Sequence, residues 1–389
     1  MGRTVLSVLD LAPRKLGSME EYEIALTREL RQRGDKHVVV FGEPIADFVR
    51  TKLEEEGATV EGVDTTLSRE FHARLRQLLS RYHPDVIHLH FCNLYSWLPI
   101  LAWLARPKVL VATDHIRLPI PVSKTKALKL WLWDRIVMAV CGLRLYAVSN
   151  HIRRLAVGPY YMAEKRAGVL YNGINLRRFV ALSDAEELQL RRELSLPPKQ
   201  PVVVCAAYFI PEKGINHLLD AAKIVLASRP DVGFIMIGDG PESERLNEQA
   251  RQLRIDGNVV FTGLRSDVHR LMALADVVAV PSVWQEPAAL VLMEGMASCA
   301  PVVATRVGGT PELIADGVTG KVVDPGSAEQ LASALLYYLN SPEERERAGR
   351  AGRQRVEKMC SMDRWGHDTR AIYAGGEPSL QPETVAPAR

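Results

Sequence analysis

The sequence predicts an α/β protein made of two consecutive parallel-sheet domains. Three observations predict it. Short Val- and Ile-rich runs without polar alternation recur along the chain, as in strands covered on both faces. Amphipathic stretches of helical period separate them, so strand, helix and strand repeat as right-handed crossover units. The pattern restarts after residue 185, and two sets of about six strands suit two Rossmann-like sheets better than one very wide sheet. A length of 389 residues accommodates two or three such domains.

In chain order the first set comprises 5–9, 37–41, 85–90, 108–113, 144–148 and 168–171. The second comprises 202–206, 233–238, 258–262, 277–280, 301–305 and 321–323. LSLPPKQP breaks both periods, so the boundary falls within 177–201 and is placed at 183/184, giving domains 1–183 and 184–360. The tail 376–389 is Pro-rich and aromatic-free, and is expected to be disordered.

Composition removes several classes. With 47% hydrophobic and 24% charged residues the chain is an ordinary globular protein, neither disordered throughout nor fibrous. Cys92, Cys141, Cys205, Cys299 and Cys360 form no CxxC pair or zinc-ligand cluster, and the scattered odd set reads as reduced thiols in the cytoplasm. Asp10 interrupts any apolar leader core, so the N-terminus is a poor signal peptide. Residues 86–105 lack Asp, Glu, Lys and Arg, but His88, His90, Asn93 and Pro99 make them a strand followed by a helix, not a membrane span. Both histidines are read as structural.

The net charge of +3 hides an asymmetry: residues 1–185 carry +8 and 186–389 carry −5. Residues 106–166 alone hold 12 basic and 3 acidic groups, a net of +9. Such a field suits an anionic ligand or surface, or a solvated helix face. Within it Leu128, Trp131, Leu132, Ile136 and Ala139 follow helical spacing, which predicts a helix packing that stripe on the sheet. Lys124, Lys126 and Lys129 beside Trp131 and Trp133 also fit a helix lying on anionic lipid.

The densest signal lies between Pro281 and Thr305. A strand ends at Pro281, a loop carries Glu286, and Pro287 suits the first position of a helix. Ala288, Ala289 and Leu290 would then offer backbone amides at a helix N-terminus, a site for phosphate or sugar oxygens. Glu294 follows Glu286 after seven intervening residues.

This segment resembles the Glu-x7-Glu motif of retaining glycosyltransferases with the two-domain GT-B fold, family 4 in particular. Gly17-Ser18-Met19-Glu20 is similar to the family's glycine loop, and Thr113-Asp114-His115 to its strand-end Thr-x-His. Val148-Ser149, Asn172-Gly173, Lys213-Gly214, Gly238-Asp239-Gly240-Pro241, Gly263-Leu264-Arg265-Ser266 and Gly308-Gly309-Thr310-Pro311-Glu312 follow in the family's order. The resemblance implies two domains facing a cleft, with a C-terminal helix, 361–375, crossing back to the first domain. It implies a nucleotide-sugar donor and a sugar, small-molecule or lipid-linked acceptor, with no nucleic acid among the partners; peripheral contact with an anionic membrane is the expectation that the basic helix adds, not the resemblance. By the same resemblance Glu286, His115 and Lys213 are catalytic. Lys213 meets the diphosphate, Glu286 the donor sugar and Glu294 the ribose, while Gly17 approaches the β-phosphate and His115 the transferred sugar. Tyr208, Gly214, Gly238, Leu264, Arg265, Ala288, Ala289 and Leu290 complete the donor site.

The sequence departs from the family pattern at Ala207-Tyr208-Phe209, where Gly-Arg-Leu is usual, so one phosphate counter-charge is replaced by Tyr208; the expectation is either weaker leaving-group stabilisation or entry of another basic residue, for example Arg306 or Lys15. Ser18 replaces a glycine and Asn175 an aspartate. No Asp-x-Asp occurs, so the expected reaction uses no metal and no cofactor beyond the nucleotide sugar. Resemblance favours front-side transfer with retention over a double displacement. A nucleotide-sugar epimerase of the same fold and a catalytically silent nucleotide-sugar binder are the competing readings. A phosphorylase would need a pyridoxal lysine that the sequence does not identify.

Overall fold

A computed structural model describes residues 2–14, 17–64, 69–115, 123–157 and 162–380, apart from the side chains of Arg69, Lys124 and Ala127. The chain divides into two compact units, one of Met1–Gly173 with Met362–Arg389 and one of Ile174–Ser361.

The first unit is built on β1 (Thr4–Leu9), β2 (Lys36–Gly42), β3 (Thr59–Val63), β4 (Val86–His90), β5 (Val109–Asp114), β6 (Arg144–Ala147) and β7 (Ala167–Val169). They form one parallel sheet in the order β3-β2-β1-β4-β5-β6-β7. Alternate side chains enter separate cores: Leu6, Val8, Ile87 and Leu89 on one face, Val5, Leu9, Val39 and Phe41 on the other. Burial on both faces is why these runs show no polar alternation. The helix Ser18–Arg31 covers the second face with Tyr22, Leu26 and Leu30. The helix Met362–Tyr373 covers it too, with Trp365 stacked on Tyr22 at a ring separation of 4.8 Å.

The second unit holds β8 (Val202–Ala206), β9 (Gly233–Ile237), β10 (Val259–Phe261), β11 (Val277–Val280), β12 (Val302–Thr305) and β13 (Gly320–Val323). This parallel sheet runs β10-β9-β8-β11-β12-β13. β8 stands between β9 and β11, so the winding reverses there, and the carboxyl ends of β8 and β11 are where open α/β sheets bind ligands.

The structure differs from expectation in four places. β3 (TVEGV) is missed by periodicity because Glu61 and Gly62 interrupt the apolar run of an edge strand. The division falls at 173/174 rather than 183/184, since Ile174 N–H donates to Cys360 O at 2.7 Å and Arg353 donates to Phe179 O at 2.9 Å. The Pro-rich break is an internal helix-to-strand connection of the second unit. Residues 376–380 of the tail are described, with Ser379 N–H donating to Asp368 Oδ1 at 2.8 Å, whereas 381–389 lie outside the described residues. Finally, Leu128, Leu132 and Ile136 do not pack on the sheet; they are exposed, and Trp133 and Val137 turn to the core instead. Among the described residues no helix is long and apolar enough to cross a membrane.

Candidate functional site

Three loops of the second unit meet where its sheet reverses: 207–214 after β8, 281–289 after β11 and 306–309 after β12. The first is drawn against the second by Gly214, whose φ of +62° is the left-handed conformation glycine adopts without penalty. A Cβ there would stand 2.1 Å from Pro281 O. Val283 N–H donates to Glu212 O at 2.9 Å. The third loop closes through Gly308, at φ +53°, where a Cβ would stand 2.0 Å from Glu286 O, and Gly309 N–H donates to that carbonyl at 2.7 Å.

This stitching places Glu286, only 7% exposed, beside Lys213. Lys213 Nζ donates to Glu286 Oε1 at 2.7 Å and Ser282 Oγ donates to the same oxygen at 2.6 Å. Thr305 Oγ1 in turn donates to Ser282 O at 2.5 Å. Charge-assisted bonds of this kind are about twice as strong as neutral ones. Oε2 takes part in neither bond and can accept from a hydroxyl, and Lys213, its side chain 30% exposed, keeps N–H protons that an anionic group could take.

The helix that should begin at Pro287 begins at Leu290, with extended Ala289 as its cap. The Glu286 carbonyl already accepts from Gly309, and a residue before proline avoids the helical region, so the first turn is delayed. The N–H groups of Ala288, Ala289 and Leu290 donate to no backbone carbonyl among the described residues. Glu294 sits one turn into this helix. Gly238 crosses against the 207–209 segment, where a Cβ would meet Ala207 O, and Tyr208 projects into solvent. Leu264 is exposed. Arg265 donates to Asp267 at 2.8 Å through both Nε and Nη2 and to Glu193 at 2.5 Å through Nη1, which raises its pKa further and leaves it a neutralised ion-pair member. Arg306 donates to Val322 O at 3.4 Å.

In the first unit Gly17 caps its helix, and its N–H is taken by Glu20 Oε2 at 2.8 Å. His115, at the end of β5, stacks on Phe91 with centroids 4.5 Å apart and shares a hydrogen bond with His90 Nδ1 at 3.1 Å. Burial lowers its pKa to about 3, so its ring is a neutral donor and acceptor. It lines a cavity of about 360 Å³ with Phe91, Asn93, Tyr95 and Asp114. His88 is buried between Thr113 Oγ1 and Tyr373 Oη, each at 2.7 Å. Lys15 and the segment 116–122 lie outside the described residues.

Ser282, Thr305, Gly308 and Gly309 were not assigned roles from sequence, although a Pro-Ser pair ending an apolar strand and a Gly-Gly pair after the next were visible signals. His90 was read as structural, and it is also the ring that holds His115.

The profile of the family described as Glycosyl transferases group 1 matches residues 186–355, and that of Glycosyltransferase Family 4 matches 19–178. Over 378 residues the chain is 33% identical to the GDP-mannose-dependent alpha-(1-6)-phosphatidylinositol monomannoside mannosyltransferase of Mycolicibacterium smegmatis, covering 93% of this chain and 94% of that one. A glycosyltransferase from Rickettsia africae superposes with a TM-score of 0.82 at 20% identity, over 96% of this chain and 98% of that one. Anabaena Alr3699/HepE in complex with UDP gives 0.79 at 24%, over 96% and 100%; likeness at such identity is likeness of fold. On the full-length identity and the two profiles together, the chain belongs to the group 1, family 4 glycosyltransferases, which have the GT-B fold.

Proposed function

We propose that this glycosyltransferase moves a hexosyl group from a nucleoside-diphosphate sugar to an acceptor hydroxyl, with retention at the anomeric carbon and without a metal. The observation that carries the reading is the Glu286–Lys213–Ser282 cluster at the β8/β11 reversal. The diphosphate takes the protons that Lys213 has to spare and the amides of Ala288–Leu290. Glu286 Oε2 accepts from a donor-sugar hydroxyl and fixes the ring, and Glu294 accepts from the ribose. The bond between the anomeric carbon and the diphosphate oxygen breaks, the acceptor oxygen bonds on the same face, and the acceptor proton passes to the leaving diphosphate. With Oε1 already carrying two donors, Glu286 suits positioning better than nucleophilic attack. The cavity beside His115 is assigned to the acceptor. Five unpaired thiols suit a reducing compartment, and the reaction is assigned to the cytoplasm.

The relatives name the first donors to try: GDP-mannose and, from the structures of HepE with UDP-glucose, UDP-glucose. Lipid acceptors of the phosphatidylinositol monomannoside class lead the acceptor screen. Slow hydrolysis of one nucleotide sugar in EDTA, releasing sugar whose first-formed anomer by NMR matches the donor, supports the reading. An inverted product removes retention, an epimerised nucleotide sugar replaces transfer by epimerisation, and binding without turnover leaves a silent binder.

A further inference from the structure

We propose that the outer face of the helix Lys124–Trp133 and its π-helical continuation Asp134–Met138 docks on anionic lipid bilayers. The inner face of this element is already spent. Trp133 and Val137 pack on the core of the first unit, Trp133 Nε1 donates to Leu94 O at 3.0 Å, and buried Asp134 accepts from Arg166 at 2.6 Å. The outer face presents Leu128, Leu132, Ile136 and Val140, which are 55%, 42%, 58% and 60% exposed and follow one another every fourth residue. From Leu128 to Val140, about 18 Å at 1.5 Å per residue, they form a continuous apolar row. Exposed apolar side chains scattered singly need no explanation, but a contiguous row marks an interaction surface. The helix Leu98–Leu104 lies against the π-helical turn. It carries exposed Trp103 and Leu104, follows exposed Trp97, and borders an apolar groove of about 400 Å³ of its own.

Charge selects the occupant. Lys126, Lys129 and Arg135 stand exposed on the same helix, within the segment 106–166 that carries +9. A second copy would bring like charge to like charge, and lysine is depleted from the cores of protein interfaces. An apolar row flanked by basic groups and tryptophans fits instead the boundary between anionic headgroups and acyl chains. The inference is independent of the reaction proposed above.

The test is co-sedimentation of the full chain with phosphatidylglycerol-containing vesicles at low salt, with neutral phosphatidylcholine vesicles as control. Wild type is expected in the pellet with anionic vesicles, and less so as salt rises. Each cation near the surface is worth roughly fivefold, so Lys126→Gln/Lys129→Gln/Arg135→Gln together should lower partitioning on the order of 100-fold. Leu132→Glu/Ile136→Glu should abolish it while circular dichroism and the melting temperature stay near wild type. Failure of the wild type to sediment at low salt overturns the proposal, as does undiminished binding by both variants. A dimer in light scattering that Leu132→Glu/Ile136→Glu dissolves, without vesicle binding, would reassign the row to a second copy.

Discussion

Removing the Glu286 carboxylate should separate donor binding from turnover. In Glu286→Ala the Ser282 hydroxyl, 2% exposed, loses its acceptor. A buried group left unsatisfied costs about 1–3 kcal/mol. Lys213 loses its counter-ion too, but its side chain is 30% exposed and water replaces much of the interaction, so that part belongs on the 0–1 kcal/mol scale of solvated pairs, about half a kcal/mol. Together about 2–3 kcal/mol of stability is lost, a fall of roughly 5–10 °C in the melting temperature of a unit of this size. Turnover should fall about 100-fold or more, because the sugar loses the group that orients it. Nucleoside diphosphate affinity, by contrast, should hold or rise, since an unpaired Lys213 is a better partner for phosphate. Glu286→Gln keeps an acceptor for Ser282 and should recover most of the stability while turnover stays low. Calorimetry with the nucleoside diphosphate, steady-state turnover and a melting curve measure the three quantities. Near-normal kcat in either variant, or diphosphate affinity that collapses with kcat, would refute the positioning role.

Glu294→Ala should instead weaken nucleotide binding by about 1.5–3 kcal/mol, roughly 10–100-fold in Kd, and unchanged calorimetric affinity removes the ribose assignment. Gly308→Ala forces a left-handed alanine, about 1–2 kcal/mol, and drives its Cβ into the Glu286 carbonyl, so both the melting temperature and turnover should drop; a wild-type melting curve contradicts the packing described. Cys299 is exposed, whereas burial pushes the Cys92 and Cys205 thiols up to about 12, so an aromatic disulfide reagent should titrate Cys299 first and Cys299→Ser should remove that fast phase.

Nearly every strand was legible in the sequence because a parallel strand buried on both faces is an apolar run and little else. β3 was not, because an edge strand is held by backbone pairing with β2 and tolerates Glu61 and Gly62. The domain boundary was misplaced for a related reason: a proline-rich break records where a helix ends, not which unit owns it, and ownership of 174–183 is decided by bonds to Cys360 and Arg353, far away in sequence. Glu286 and Lys213 were named in advance, but their mutual contact was not. It depends on strand order, which brings the β8 and β11 loops together, and on Gly214 and Gly308 permitting backbone approach. The exposed apolar row shows the limit of periodicity: spacing reveals that one helix face is apolar, and only the packing of Trp133 and Val137 reveals that a different face meets the core.

The histidines of the first unit make a prediction about acid. His88 is 1% exposed, and burial, then the neighbouring His115 and His37, lower its pKa from 6.5 to about 3. Facing it are the His90 ring at 3.9 Å, the Thr113 hydroxyl and the Tyr373 hydroxyl, none of them able to stabilise an imidazolium by charge. Beyond them lies buried Glu23, whose carboxylate is 3.3 Å from His37 Nε2 and 3.8 Å from His90 Nε2. A folded-state pKa below the unfolded one means that the unfolded chain binds the proton first. The contribution of His88 is therefore complete above about pH 6.5 and is lost as pH falls toward about 3. At pH 4.5 the loss from this one residue is roughly 2–3 kcal/mol. Carboxylates titrate over the same range, so the informative comparison is with His88→Gln, which can still bond Thr113 and Tyr373 but takes up no proton. Denaturant unfolding from pH 7 to 4.5 should cost the wild type roughly 2–3 kcal/mol more than the variant, and parallel profiles would show that His88 is solvated or already paired with a charge.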